Sequence, residues 1–345
     1  MTNVNQNDMP GRGNRPINTV MITVVLIALL IMAVLVHLGV GSRYIPMHSA
    51  IQTFLQPDPH NFDQHILRNL RMPRMLGALT AGAALGLAGA LIQSVARNRL
   101  GEPQLLGLNA GAAFAVVAST TLSIPLLSTA AMRPFTAALG GALLFALVLL
   151  FAQVGQRGMT VIKLTFCGIA LSAFASALTS AMLILDEDSL QDLRIWLAGD
   201  LAEAGMAVVR HSLPAALCGV LLVAAISRHI HTLTLGDDVA SGLGTPVART
   251  RWLALVAAAL LCGSAVSIAG PLGFIGLVAP HMAHRLGARS GNRRLLFSAL
   301  CGAILVLLAD VVARTALAPR ELATGVVTAF VGVPVFLALV LRGRQ

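Results

Sequence analysis

Residues 75–96 read MLGALTAGAALGLAGALIQSVA. The run contains no charged side chain, and it is long enough to cross a bilayer core, which takes about 20 apolar residues in a helix. Gly82, Gly86 and Gly89 fall on one face of that helix, with Gln93 following. The Gly82-x-x-x-Gly86 spacing lets a second helix approach backbone to backbone. The stretch therefore predicts a transmembrane helix packed tightly inside a bundle.

Nine more apolar runs surround it, at 20–40, 105–124, 135–154, 161–185, 213–226, 252–268, 272–286, 295–312 and 325–341. The run at 213–226 reaches spanning length only by extending back past Arg210 and His211, and the run at 272–286 is short. Composition agrees with this reading: 57% of the 345 residues are hydrophobic and 11% are charged. Soluble chains carry about 25% charged residues, so a water-soluble core of this size could not be covered. The expectation is an all-α integral membrane protein of about ten transmembrane helices. Residues 1–18 are polar and are expected to form a disordered cytoplasmic tail, and 19–345 a single polytopic domain. The first run is longer than a signal-peptide core and lacks a clear cleavage site, which favours an uncleaved anchor.

The net charge of +10 comes almost wholly from arginine, Lys163 being the one lysine. The arginines sit between apolar runs, with no basic stripe interleaved with aromatics, so nucleic acid is not an expected partner. With ten spans and both termini inside, most basic residues fall in the cytoplasmic segments, the bias that orients membrane proteins. Lys163 precedes Leu164 and follows no glycine loop, so the chain has no P-loop of its own. Cys167, Cys218, Cys262 and Cys301 lie singly in four different runs and read as small buried hydrophobes.

Few residues could carry chemistry. Asp310 lies deep in its run, and Arg314 follows at i+4, a spacing at which the two can pair and lower the cost of an intramembrane charge. A proton relay is the competing reading. Thr165, Ser172, Ser176 and Ser180, with Thr179 beside them, make a narrow hydroxyl stripe that either glues helices or lines a wet path. His281 with His284, and His229 with His231, lack the further ligands that a metal site needs. No catalytic constellation is present. The loop from Leu235 to Arg251 places Asp237 and Asp238 at the start of a short helix. Gly242, Leu243 and Gly244 then break the chain, and Pro246 opens a second helix.

At this loop the sequence resembles the FecCD family, the permease subunits of ABC importers for iron-siderophore complexes, haem and cobalamin. The pieces run in order from Arg71-Met72-Pro73-Arg74 through Gly82 to Gly89, Arg97-Asn98, Leu106-Gly107-Leu108-Asn109 and Trp196 to Gly199. They continue with Gly236 to Arg251, Gly270 to His281, Ala309-Asp310 and Pro319-Arg320-Glu321-Leu322. Where the family usually has proline in RNPLA, this chain has Arg99.

The resemblance implies a type II ABC importer permease fold, paired with an identical or related second permease. It also implies two ATPase subunits inside that use ATP and magnesium, and a periplasmic binding protein outside that delivers a ferric siderophore. On it, Gly236, Asp237, Asp238, Ser241, Gly242, Leu243, Gly244 and Arg249 form the ATPase-coupling loop. Thr324 and Thr328 join the fifth-run hydroxyls along the translocation path, and Arg71, Arg74 and Arg320 are expected to dock the binding protein. The chain itself is expected to bind no cofactor or metal and to catalyse nothing. It is expected in the bacterial cytoplasmic membrane, N-in and C-in. Haem, cobalamin or a divalent metal remain alternative cargoes, and an ion-coupled secondary carrier is the alternative of another class.

Overall fold

The structure, a computed structural model, describes residues 19–41, 45–46, 53, 61–99, 101–129, 132–154, 160–202, 204–288 and 291–342. The expected tail at 1–18 lies outside them. Each of the ten apolar runs contains a helix. The spanning helices are α1 (Thr19–Gly39), α2 (Phe62–Ala96), α4 (Arg133–Gln153), α5 (Val161–Leu185), α7 (Met206–Leu233), α9 (Val247–Ala269) and α11 (Gly291–Thr315). Seven helices among the described residues are thus long and apolar enough to cross a membrane. α3 (Leu108–Thr121) and α12 (Thr324–Arg342) are shorter or less continuous apolar helices, α6 (Glu187–Leu197) and α8 (Asp237–Gly242) sit in loops, and α10 is Ile275–Arg285. α7 does extend back through Arg210 and His211.

α2 is the axis of the bundle, and its glycines explain why. A Cβ at Gly82 would strike the Gly302 carbonyl of α11, one at Gly86 the Ser298 carbonyl, and one at Gly89 the Gly276 carbonyl of α10. Gly302 is reciprocally closed by the Gly82 carbonyl. No methyl group fits between these backbones, so the packing gains dispersion contact along both helices instead of side-chain interdigitation. α3 crosses α4 in the same way at Gly111 and Gly140. α1 lies on the outside, touching the bundle through Leu26, Ala33 and His37 while Val20, Val24, Ile27 and Ile31 face outward.

The run at 272–286 is the exception to plain spanning. Eleven residues of α10 rise only about 16 Å, half of a bilayer core of about 30 Å. Ile268 packs on Gly77 near the middle of α2, whereas Gly276 packs on Gly89 toward its end. Between them the chain descends roughly 18 Å along α2 in an irregular segment, at 1.5 Å per helical residue of α2. Gly270, with φ +65°, makes the reversal beside the Trp196 carbonyl. Irregular backbone at this depth is tolerated because protein, not lipid, surrounds it. Glu102 supplies one missing partner: its Oε1 accepts from the Phe274 N–H at 2.6 Å, an anion at the start of α10.

Candidate functional site

Asp310 of α11 is completely buried and collects donors from four helices. Arg74 of α2 donates from Nε to both carboxylate oxygens (3.1 and 3.0 Å) and from Nη2 to Oδ1 (2.9 Å). Thr324 Oγ1, at the start of α12, donates to Oδ1 at 2.9 Å, and His37 Nε2 of α1 lies 2.9 Å from Oδ2. Arg314 Nε is 3.2 Å away, one turn on in α11. Arg74 also reaches Glu321 Oε2 at 2.8 Å, with Asp200 3.9 Å off. α1 is closed by the same cluster. Its last carbonyls have no partner in the helix, and Arg71 donates to those of Leu38 (2.6 Å) and Gly39 (3.0 Å), Arg314 to that of His37 (3.1 Å). Cations at a helix C-terminus complement its dipole.

This geometry bears on two expectations. Arg71 and Arg74, expected to dock a binding protein, are buried and engaged by the chain's own acceptors, and they line a cavity together with Arg314 and Glu321. A buried guanidinium without a partner would cost several kcal/mol, so both can sit inside only because carboxylates and helix-end carbonyls meet them there. Arg320 is exposed, as is Arg68, one turn before the buried pair. Thr324 and Thr328 are also buried within the chain: Thr324 serves Asp310, and Thr328 Oγ1 donates to the Gly325 carbonyl at 2.9 Å. Thr328 also lines an apolar cavity of about 280 Å³ between α10, α11 and α12.

At the opposite end of the bundle, α8 is a six-residue helix held between two glycines. Gly236 (φ +115°) precedes it and Gly244 (φ +77°) follows. Gly244 N–H bonds to the Ser241 carbonyl and Thr245 N–H to the Ala240 carbonyl, both at 2.9 Å. That is a Schellman closure, which needs a left-handed residue where Gly244 stands. Asp237 is clamped by Arg251 (3.1 Å) and Arg97 (3.2 Å). Arg97 itself has φ 49° and closes α2 with Asn98 N–H on the Gln93 carbonyl. Arg99 beside it is exposed, and the turn closes without the family's proline through Gly101 N–H on the Asn98 carbonyl at 3.0 Å. Ala240 points inward, while Leu235, Val239 and Leu243, with Asp238, Ser241, Gly242 and Arg249, are exposed. The result is a rigid knob with an apolar crest.

α5 carries its hydroxyls in graded positions. Thr179 is buried and bonds back to the Ala175 carbonyl, Thr165 and Ser172 are half-buried, and Ser176 and Ser180 are exposed. Around the last two lie exposed Phe174, Leu178 and Ile184. Among the described residues no group of three His, Cys, Asp or Glu could hold a metal. Sequence reasoning missed His37, Glu102 and the pairing of Gln93 Oε1 with Arg294 (2.7 Å).

The family model for the FecCD transport family matches residues 29–342. The chain belongs to the FecCD transport family. Among similar FecCD proteins is the ferric enterobactin transport system permease protein FepD of Escherichia coli (strain K12). It is 39% identical over 322 residues, 92% of this chain and 94% of that protein. The iron(3+)-hydroxamate import system permease protein FhuG of Bacillus subtilis (strain 168) is 33% identical over 343 residues, 97% of this chain and 100% of that one. A solved inward-facing structure of metal-chelate ABC transporter type superposes with a TM-score of 0.80 at 28% identity, covering 94% of this chain and 99% of its own. PsaBC from Streptococcus pneumoniae, at 16% identity and a TM-score of 0.56, shares the fold over 85% of this chain and 95% of that one. The FecCD chain described here is therefore a multi-pass bacterial membrane permease and not itself an enzyme.

Proposed function

We propose that this chain is the permease subunit of an ATP-driven importer that moves a ferric siderophore across the bacterial cytoplasmic membrane. The observation that carries the reading is the end-to-end match to FecCD permeases, several of which are named for ferric siderophore or ferric citrate uptake. The α8 knob fits the same reading, since an exposed apolar crest on a rigidly clamped helix is a shape that inserts into a partner's groove.

Two ATPase subunits, which bind ATP and magnesium, dock at the α8 end, and a periplasmic binding protein docks at the end carrying Arg320. A second permease, identical or related, covers the exposed apolar faces of α5 and α12, including Phe166, Phe174, Phe330 and Phe336. Ser176 and Ser180 of α5 then face the path between the two copies. Both termini lie in the cytoplasm.

The test is purification of the tagged protein from mildly solubilised membranes, with identification of co-purifying chains and ATPase assays with and without vanadate. Vanadate-sensitive hydrolysis together with uptake of radiolabelled ferric siderophore supports the importer. Uptake that survives vanadate but collapses with an uncoupler refutes it in favour of an ion-coupled carrier.

A further inference from the structure

A groove of about 570 Å³ runs between α2, α7 and α11, distinct from the Asp310 cluster, the α8 knob and the α5 face. Its walls are mostly apolar, with Leu79 and Ala83 from α2, Ala216 and Val220 from α7, and Leu295 and Ala299 from α11, and the hydroxyl on the α2 wall, that of Thr80, is spent on the Leu76 carbonyl. Leu217, Val220 and Leu296 on its rim are exposed, so it opens sideways from the bundle. All three walls are membrane-spanning helices, so the opening faces the bilayer. A volume of this size and character is typical of a small-molecule site, roughly 300–1,000 Å³ and mostly apolar.

The groove is not apolar to its end. Toward α8 it closes on Ser227 and Asn292. Arg228 follows Ser227 and lies one turn beyond Ala224, another lining residue, and it is exposed. His231, also exposed, is one turn further along α7, and a Cβ at Gly291, the first residue of α11, would lie 4.0 Å from its Nδ1. Arg293 adds a second exposed arginine at the start of α11. The nearby acid Asp237 is already clamped by Arg97 and Arg251, leaving Asp238 as the exposed acid of α8. An apolar channel ending in basic side chains matches one occupant in charge and polarity. We propose that the groove binds an anionic membrane phospholipid, with an acyl chain along α2, α7 and α11 and the phosphate held at Arg228 and His231. Basic pockets between spanning helices hold anionic headgroups in this way. The site is independent of what the permease carries.

Native mass spectrometry of the full chain, purified with its co-purifying subunits and titrated with phosphatidylglycerol or phosphatidylcholine of matched acyl chains, tests it. Phosphatidylglycerol is expected to bind the more tightly, with a roughly fivefold loss for Arg228→Gln, the effect of one surface arginine on an anionic lipid. Arg210→Gln, an exposed arginine at the other end of α7, is expected to leave binding unchanged. Ala224→Trp, which plugs the groove, is expected to abolish it. Equal binding of the two lipids, indifference to Arg228→Gln, or an equal loss with Arg210→Gln overturns the proposal. So does full phosphatidylglycerol binding by a folded Ala224→Trp protein, which would make the contact a surface one. Should the tryptophan variant not insert, the exposed Arg228 and Arg210 substitutions decide the matter alone.

Discussion

Replacing Asp310 by alanine removes one carboxylate and strands two cations. Arg74 and Arg314 are buried against it at 2.9 and 3.2 Å, and Thr324 and His37 lose their acceptor as well. Glu321 stays within 2.8 Å of Arg74 but is a third exposed, so it offsets only part of the loss. Removing one member of a buried pair costs about 3–5 kcal/mol, because the other charge remains desolvated. That is a large share of a typical folding free energy of about 5–15 kcal/mol. Asp310→Ala is therefore expected to lower the thermal midpoint of the detergent-solubilised protein by many degrees, read as loss of the monodisperse peak after heating. Asp238→Ala, at an exposed position, is expected to change stability by less than about 0.5 kcal/mol. The double variant Asp310→Ala with Arg314→Leu is expected to recover part of the loss, since it removes one stranded cation, a coupling of about 0.5–3 kcal/mol. An Asp310→Ala protein as stable as the Asp238→Ala control would refute the view that this cluster holds four helices together.

Three further outcomes follow from other sites. Val239→Glu with Leu243→Glu is expected to abolish co-purification of an ATPase and siderophore uptake while membrane insertion persists, checked by pull-down and by uptake in cells. Arg320→Glu is expected to weaken binding-protein docking, most strongly at low salt where an exposed charge is least screened, as measured by surface plasmon resonance across ionic strengths. Asp200, in the loop between α6 and α7, has its carboxyl pushed above the ordinary aspartate value, chiefly by burial, with the Ala202 N–H and Arg74 opposing. A raised carboxylate favours the fold while protonated, so its contribution is present in acid and fades as pH rises through the raised value. Thermal melts are expected to show wild type losing stability relative to Asp200→Asn over that rise, and a constant difference would contradict the burial argument.

The spans and the α8 loop were legible because their signals are local. Apolar length marks a span, and Asp-Asp followed by Gly-x-Gly and proline marks a short helix between breaks. The glycine face of α2 was legible for the same reason, since i, i+4 spacing fixes which residues share a side. The Asp310 cluster was only half legible. Its Arg314 partner is on the same helix, but Arg74 and His37 stand 236 and 273 positions away in sequence, and no spacing rule joins them. The burial of Arg71 and Arg74 is hidden by the same gap, because a charged residue next to an apolar run reads as interfacial until its buried partner is known. The run at 272–286 reads as short in the sequence, and it is shorter still as a helix, because Gly270 and Phe274 hold positive φ and leave 272–274 as irregular chain before α10 begins.

α12 is fastened to its neighbours unevenly. Near its start Thr324 is bonded to Asp310, and Gly325 N–H bonds to the Gly199 carbonyl at 2.7 Å. Midway, Gly332 lies flush against Phe274. Past that point Pro334 interrupts the backbone ladder, and Val333, Phe336 and Leu337 are exposed. α12 is therefore anchored over its first half, at Thr324, Gly325 and Gly332, while the half beyond Pro334 leaves Phe336 and Leu337 uncovered as surface for a neighbouring chain.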